Sequence, residues 1–107
     1  MRTHQEIDQR SLALHVLICA KIRDKPELFD SVQTTLARWK LTVSESSQPY
    51  VTQWQKLADE GIETCLAAAI EDSERGAALR QASPFTKVLT NQERFKALKD
   101  FRSRHAA

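Results

Sequence analysis

Residues 78–93 read ALRQASPFTKVLTNQE, and this stretch decides the fold. Ala78 to Gln81 continue an Ala-rich helical pattern, which Ser83-Pro84 interrupts because proline lacks the N–H and clashes with the preceding turn. Thr90-Asn91-Gln92-Glu93 then opens a new helix. It is a capping box, in which the Thr hydroxyl and the Glu carboxylate each satisfy a free backbone N–H. The pattern is helix, break, helix, with Phe85, Val88 and Leu89 spent on the break. Two expectations follow for that break. It folds back and plugs the core, or it presents an apolar knob to a partner. A segment stiffened by Pro84 gives up less entropy on docking than a floppy one, so docking is the expectation carried forward, with Arg80 and Lys87 as polar flanks.

The same grammar holds outward along the chain. Thr3-His4-Gln5-Glu6 is a first capping box, followed by Ile7, Leu14, Leu17, Ile18 and Ile22 at the spacing of one helical face. Asp24-Lys25-Pro26-Glu27 ends that helix and starts the next, with Asp24 as the cap and Pro26 in the first turn. Leu28, Phe29, Val32, Leu36 and Trp39 form a second apolar face, and the short link predicts that the two helices pack as a hairpin. Residues 41–49, LTVSESSQP, read as a loop in which Thr42 and Val43 can extend. A third helix carries Tyr50, Val51, Trp54 and Leu57 and breaks at Gly61. Ile62, Cys65, Leu66, Ala69 and Ile70 mark a fourth. It either runs on to Arg80 or stops, with Asp72 or Ser73 capping a separate helix. Phe95, Leu98 and Phe101 give the last helix its stripe. The expected fold is all-α, a compact bundle of five or six short helices in a single domain over 1–107.

Composition agrees. Two glycines and three prolines are too few for the turns of an all-β domain, and the better helix formers dominate. With 41% apolar and 28% charged residues the chain is of globular type. The N-terminal MRTHQEIDQRS has no signal-peptide core, and LALHVLICA at 12–20 is too short to span a bilayer. Cys19 and Cys65 sit at apolar helical positions with no CxxC or Cys/His metal spacing, and read as buried thiols of a cytoplasmic protein.

Charge is uneven. Residues 59–74 hold six acids and no Lys or Arg, whereas 87–107 hold six cations and two acids. These runs read as solvated faces, which can oppose each other in space, or as contact surfaces. On the second view Arg94, Lys96, Lys99, Arg102 and Arg104 are the candidate nucleic-acid contacts, and 72–82 with 91–104 is a candidate helix–turn–helix. Of the three histidines, His4 and His105 lie near the ends, and His15 reads as an ordinary partly buried histidine. No nucleophile elbow or Gly-rich phosphate loop occurs, and Glu71-Asp72-Glu74 has no matching ligand set. The chain is therefore expected not to be an enzyme, and no cofactor or metal is implied. Trp39 and Trp54 flank the 41–49 loop, with Tyr50 one turn before Trp54. They wall one end of the core or anchor an interface.

EDSERGAALRQASPFTKVLTNQERF at 71–95, with PYVTQW at 49–54 and RSLALH at 10–15, resembles a set of small bacterial helical proteins encoded in antitoxin-like gene pairs. The resemblance implies a protein partner, such as a cognate toxin. The expected function is a protein-binding module, an antitoxin-like or inhibitor subunit, with Arg80, Phe85, Lys87, Val88, Leu89, Tyr50 and Trp54 as contacts. The alternatives are a nucleic-acid-binding protein using the basic last helix, and a homodimeric structural protein. No membrane association is expected.

Overall fold

Gly61 makes the sharpest break in the chain. Its φ of +132° with ψ of 160° belongs to a region that side-chain-bearing residues avoid, so one glycine serves as both the end of one helix and the start of the next. In the computed structural model, which describes residues 4–105 and the side chains of 5–104, six helices succeed one another with no strand among the described residues. They are α1 His4–Asp24, α2 Phe29–Thr42, α3 Gln48–Glu60, α4 Ile62–Ala69, α5 Glu74–Gln81 and α6 Asn91–His105. A 3-10 turn, Pro26–Leu28, joins α1 to α2. The Thr3 capping box falls outside the described residues. No described helix is long and apolar enough to cross a membrane.

Helix starts follow the sequence closely in two places. Ser73, not Asp72, caps α5, its Oγ accepting the Gly76 N–H at 3.0 Å. The choice left open at α4 is thus settled in favour of a separate helix. At α6 the capping box is reciprocal, with Thr90 N–H donating to Glu93 Oε1 at 2.8 Å and Glu93 N–H to Thr90 Oγ1 at 3.1 Å. The link at 24–28 differs from expectation. Asp24 remains inside α1, and Lys25 stands at the cap position without a side-chain hydrogen bond. Beyond the turn α2 packs chiefly on α3 and does not form a hairpin with α1, whose main helical neighbours are α6, α4 and α5.

One apolar cluster runs through the molecule. Cys65, Leu66 and Ala69 of α4 lie fully buried at its centre, and Ile22 of α1, Val32 and Leu36 of α2 and Trp54 of α3 surround them. Small side chains on α4 let its neighbours approach closely. Both cysteines are buried free thiols. Cys19 Sγ–H points at Leu66 O (3.6 Å), and burial pushes the thiols up to about 11 for Cys19 and about 12 for Cys65.

Two predicted helix faces are out of register. On α1 the core-facing residues are His15, Ile18, Cys19 and Ile22, and Leu17 is 47% exposed. On α6 the stripe against α1 is Ala97, Leu98 and Phe101, and Phe95 is 71% exposed. In both cases a smaller or polar neighbour holds the core position that hydrophobicity alone assigns to the larger side chain. Leu36→Ala and Leu66→Ala should therefore each cost about 2–5 kcal/mol, because both leucines are fully buried. Leu17→Ala should cost less than about 1 kcal/mol. Urea melts of the three variants check this, and equal losses would contradict the placement of α1.

Candidate functional site

The segment between α5 and α6 is built inward. Ser83 Oγ accepts the Phe85 N–H at 3.2 Å, and Val88 N–H donates to Phe85 O at 3.1 Å, which coils 83–88 into successive turns. Lys21 of α1 pins the far end, its Nζ donating to Val88 O at 2.8 Å and to Glu93 Oε1 at 2.6 Å. The hydrogen bond from Lys21, followed by that from the Thr90 N–H, holds the Glu93 carboxyl at about 2, well below its ordinary value.

This geometry corrects the expected docking knob. Phe85 is completely buried, Val88 nearly so and Leu89 half-buried. The Phe85 ring meets Trp54 edge-on at 5.4 Å and His15 at 5.9 Å. Trp54 is also in the core and not at an interface, with its Nε1–H donating to Leu79 O at 3.1 Å. The reason is local. Pro84 ends α5, and the turns after it aim the apolar side chains back at the hole that α3 and α5 leave uncovered.

Arg80 is corrected as well. It does not flank an interface but lies 6% exposed, with Nη1 donating to Ala69 O (3.2 Å) and Glu71 O (2.7 Å). The Ala69 carbonyl ends α4, and the Glu71 carbonyl, just beyond it, also accepts the Ser73 N–H; a guanidinium is long enough to reach both from the next helix. Its Nε is buried with no hydrogen-bond partner. Lys87 is exposed and Tyr50 is 38% exposed, so these two remain available at the surface.

His15 is the polar centre of the region. Nδ1 lies 2.7 Å from Ser11 O and Nε2 lies 2.7 Å from Ser83 Oγ. A carbonyl oxygen only accepts, so Nδ1 carries the proton and Nε2 takes the Ser83 hydroxyl hydrogen. Burial, with smaller contributions from Arg80 and Arg94, lowers the His15 pKa from 6.5 against the opposing Ser11 bond. With the folded value lowered, the unfolded chain takes up this proton first as pH falls. The contribution of His15 to stability is therefore complete above about pH 6.5 and is lost progressively below it, until the folded imidazole protonates too. Urea melts of the parent and His15→Gln between about pH 5 and 7 should show the parent losing stability more steeply. Parallel curves would exclude the linkage.

Beside this cluster a cleft of about 360 Å³ opens between α1, α5, the 83–89 segment and α6. Arg10, Arg80 and Arg94 line it together with one acid, Asp8, over walls that include Leu14, Phe85 and Leu98. Sequence reasoning missed it, since its residues run from Ile7 to Leu98 and no motif spans them.

The remaining predicted cations lie on α6. Phe95, Lys96, Lys99 and Arg102 are all exposed. Helical spacing puts Phe95, Lys99 and Arg102 along one outer face, away from the Ala97–Phe101 seam. Arg104 lies beside that seam, in a small hollow with Arg10, Leu17 and Phe101. The candidate helix–turn–helix is not assembled as such, because α5 packs on α1 and α4 and α6 packs chiefly on α1. Nor do the acidic and basic runs face each other through ion pairs. Glu63 pairs with Arg23, Glu71 with Arg75 and Glu93 with Lys21. The side chains of His4 and His105 lie outside those described. Among the described residues no three His, Cys, Asp or Glu gather as a metal site. No family model matches the chain, and no curated protein or solved structure matches it.

Proposed function

We propose that this chain acts by binding another protein, as an antitoxin-like or inhibitor subunit, and that the outer face of α6 makes the contact. The observation that carries this is Phe95, 71% exposed on a helix whose neighbouring outward side chains are Lys96, Lys99 and Arg102. An aromatic side chain ringed by cations suits a partner with an apolar pocket inside an acidic rim. The ring supplies the desolvated anchor and the cations set approach and register. The helix is already ordered, since its first turn is held by the Thr90 box and by Lys21, so docking costs little conformational entropy. Of the contacts expected from sequence, Tyr50 and Lys87 are exposed and available at the surface, and the resemblance to antitoxin-like gene pairs supports the same class.

The same cations favour a second reading, nucleic acid, in which Phe95 stacks on a base and the lysines take phosphates. The protein reading is preferred because the acidic α3–α4 surface, with Asp59, Glu60 and Glu63 exposed, repels a long polyanion. Phe95→Ser with Lys99→Glu should leave stability within about 0.5 kcal/mol of the parent while removing partner capture from a nuclease-treated bacterial lysate. Capture that survives in the variant would end the proposal. Capture that disappears on nuclease treatment, together with salt-sensitive oligonucleotide binding, would transfer the surface to the second reading.

A further inference from the structure

We propose that the cleft between α1, α5, the 83–89 segment and α6 is a binding site for a small organic carboxylate with an apolar body. Its charge is the first argument. Arg10, Arg80 and Arg94 reach it from three separate helices, against the single acid Asp8 among its lining residues. Cations brought together from distant parts of a chain repel one another, and an anion between them relieves that repulsion.

Arg80 is the second argument. It is more than nine-tenths buried, is clamped on one side by the Ala69 and Glu71 carbonyls, and leaves Nε without a partner. The Glu71 carboxylate acts on Arg80 only through space, and two neutral carbonyls leave the buried guanidinium without a directly bonded anion. The clamp fixes the plane of the guanidinium, so an incoming carboxylate meets a preorganised cation. Arg94 at the mouth of the cleft supplies a second fork. The His15–Ser83 pair on the floor is satisfied internally and does not compete for the anion. The His15 pKa is lowered first by burial, and Arg80 and Arg94 lower it further.

Size and lining define the rest of the ligand. About 360 Å³ falls at the small end of ligand pockets, roughly 300–1,000 Å³. That volume suits an arylalkyl or branched aliphatic acid and excludes a nucleotide with its sugar and several phosphates. Leu14, Ile18, Phe85, Leu89 and Leu98 offer apolar wall for the body of such an acid.

The test is a calorimetric and amide-resonance titration of the full chain at neutral pH and low salt. The probe is 3-phenylpropionate, compared with the neutral 3-phenylpropanol and with inorganic phosphate. The expected result is saturable binding of the carboxylate, at least tenfold tighter than the alcohol, with shifts centred on the amides of 11–18 and 77–94. Arg94→Gln, at an exposed position that leaves the core intact, should weaken the carboxylate at least tenfold and leave the alcohol unchanged. Arg10→Gln provides a second variant that does not touch the buried clamp. Equal affinity for acid and alcohol, no saturable binding of the acid, tighter binding of phosphate than of the acid, or indifference to both arginine variants would each overturn the proposal.

Discussion

Phe85→Ala is expected to cost about 3–5 kcal/mol, a large share of the total for a domain of this size. The ring is completely buried and touches Trp54 and His15 edge-on, at 5.4 and 5.9 Å between centroids. Its loss opens a cavity where α1, α3 and the 83–89 turns meet, and it also removes two aromatic contacts. Phe85→Ser adds an unpaired hydroxyl to the same hole and should be worse. Thermal melts should show the Tm falling by more than about 10 °C. A variant that melted with the parent would restore the docking knob that the burial of Phe85 rules out.

Gly76→Ala carries the second large effect, and its sign is the unusual part. In an exposed helix interior this change stabilises by about 1 kcal/mol, because alanine is the better helix former. Gly76 is buried on α5, and a Cβ there would run into the backbone carbonyl oxygen of Glu71, with the carbonyl carbon at 2.9 Å and Arg80 Nη1 at 3.0 Å. A backbone carbonyl cannot swing aside as a side chain end can. The start of α5 must move away from the end of α4, and the Arg80 clamp on Glu71 O loosens with it. We expect destabilisation of about 2 kcal/mol or more, read by urea denaturation. A gain in stability would mean that α4 and α5 pack less closely than described.

Some helix boundaries, such as the break at Gly61 and the start of α6, were legible because their causes are local. The Thr90–Glu93 box and the Ser73 cap act within four residues, and Gly61 needs nothing beyond its own φ. The face of α2 was legible because Phe29, Val32 and Leu36 recur at helical spacing, and the one large apolar residue off that face, Leu41, sits at the helix end. On α6 the sequence offers Phe95-Leu98-Phe101 and Arg94-Ala97-Leu98-Phe101 as alternative stripes. Hydrophobicity favours the first, and contact with α1 selects the second. Neither the His15–Ser83 bond, which links residues 68 apart, nor the reach of Arg80 to the Ala69 carbonyl leaves any periodic signal. The chemistry of the cleft rests on those tertiary contacts. For the same reason the role of Gly76 was invisible, and a helix-propensity cost of about 1 kcal/mol is the wrong scale for a residue that holds two helices together.

The pairing of α1 with α6 has a consequence for the order of assembly. Lys21 near the end of α1 meets Glu93 near the start of α6, while Arg10, Leu17, Phe101 and Arg104 share a hollow at the opposite end. The two helices are therefore antiparallel, with Arg104 in the last turn of α6 beside Arg10 of α1. The α2–α3 and α3–α4 contacts close over short loops, whereas the α1–α6 seam closes a ring nearly as long as the chain and carries the largest single closure cost, which grows only slowly with length. That seam sets the mean sequence separation of contacts, and with it the folding rate. Splicing the two ends together and opening the chain at the exposed 44–46 turn would convert its most distant pairing into a hairpin, so that the same packed molecule is reached by a faster route.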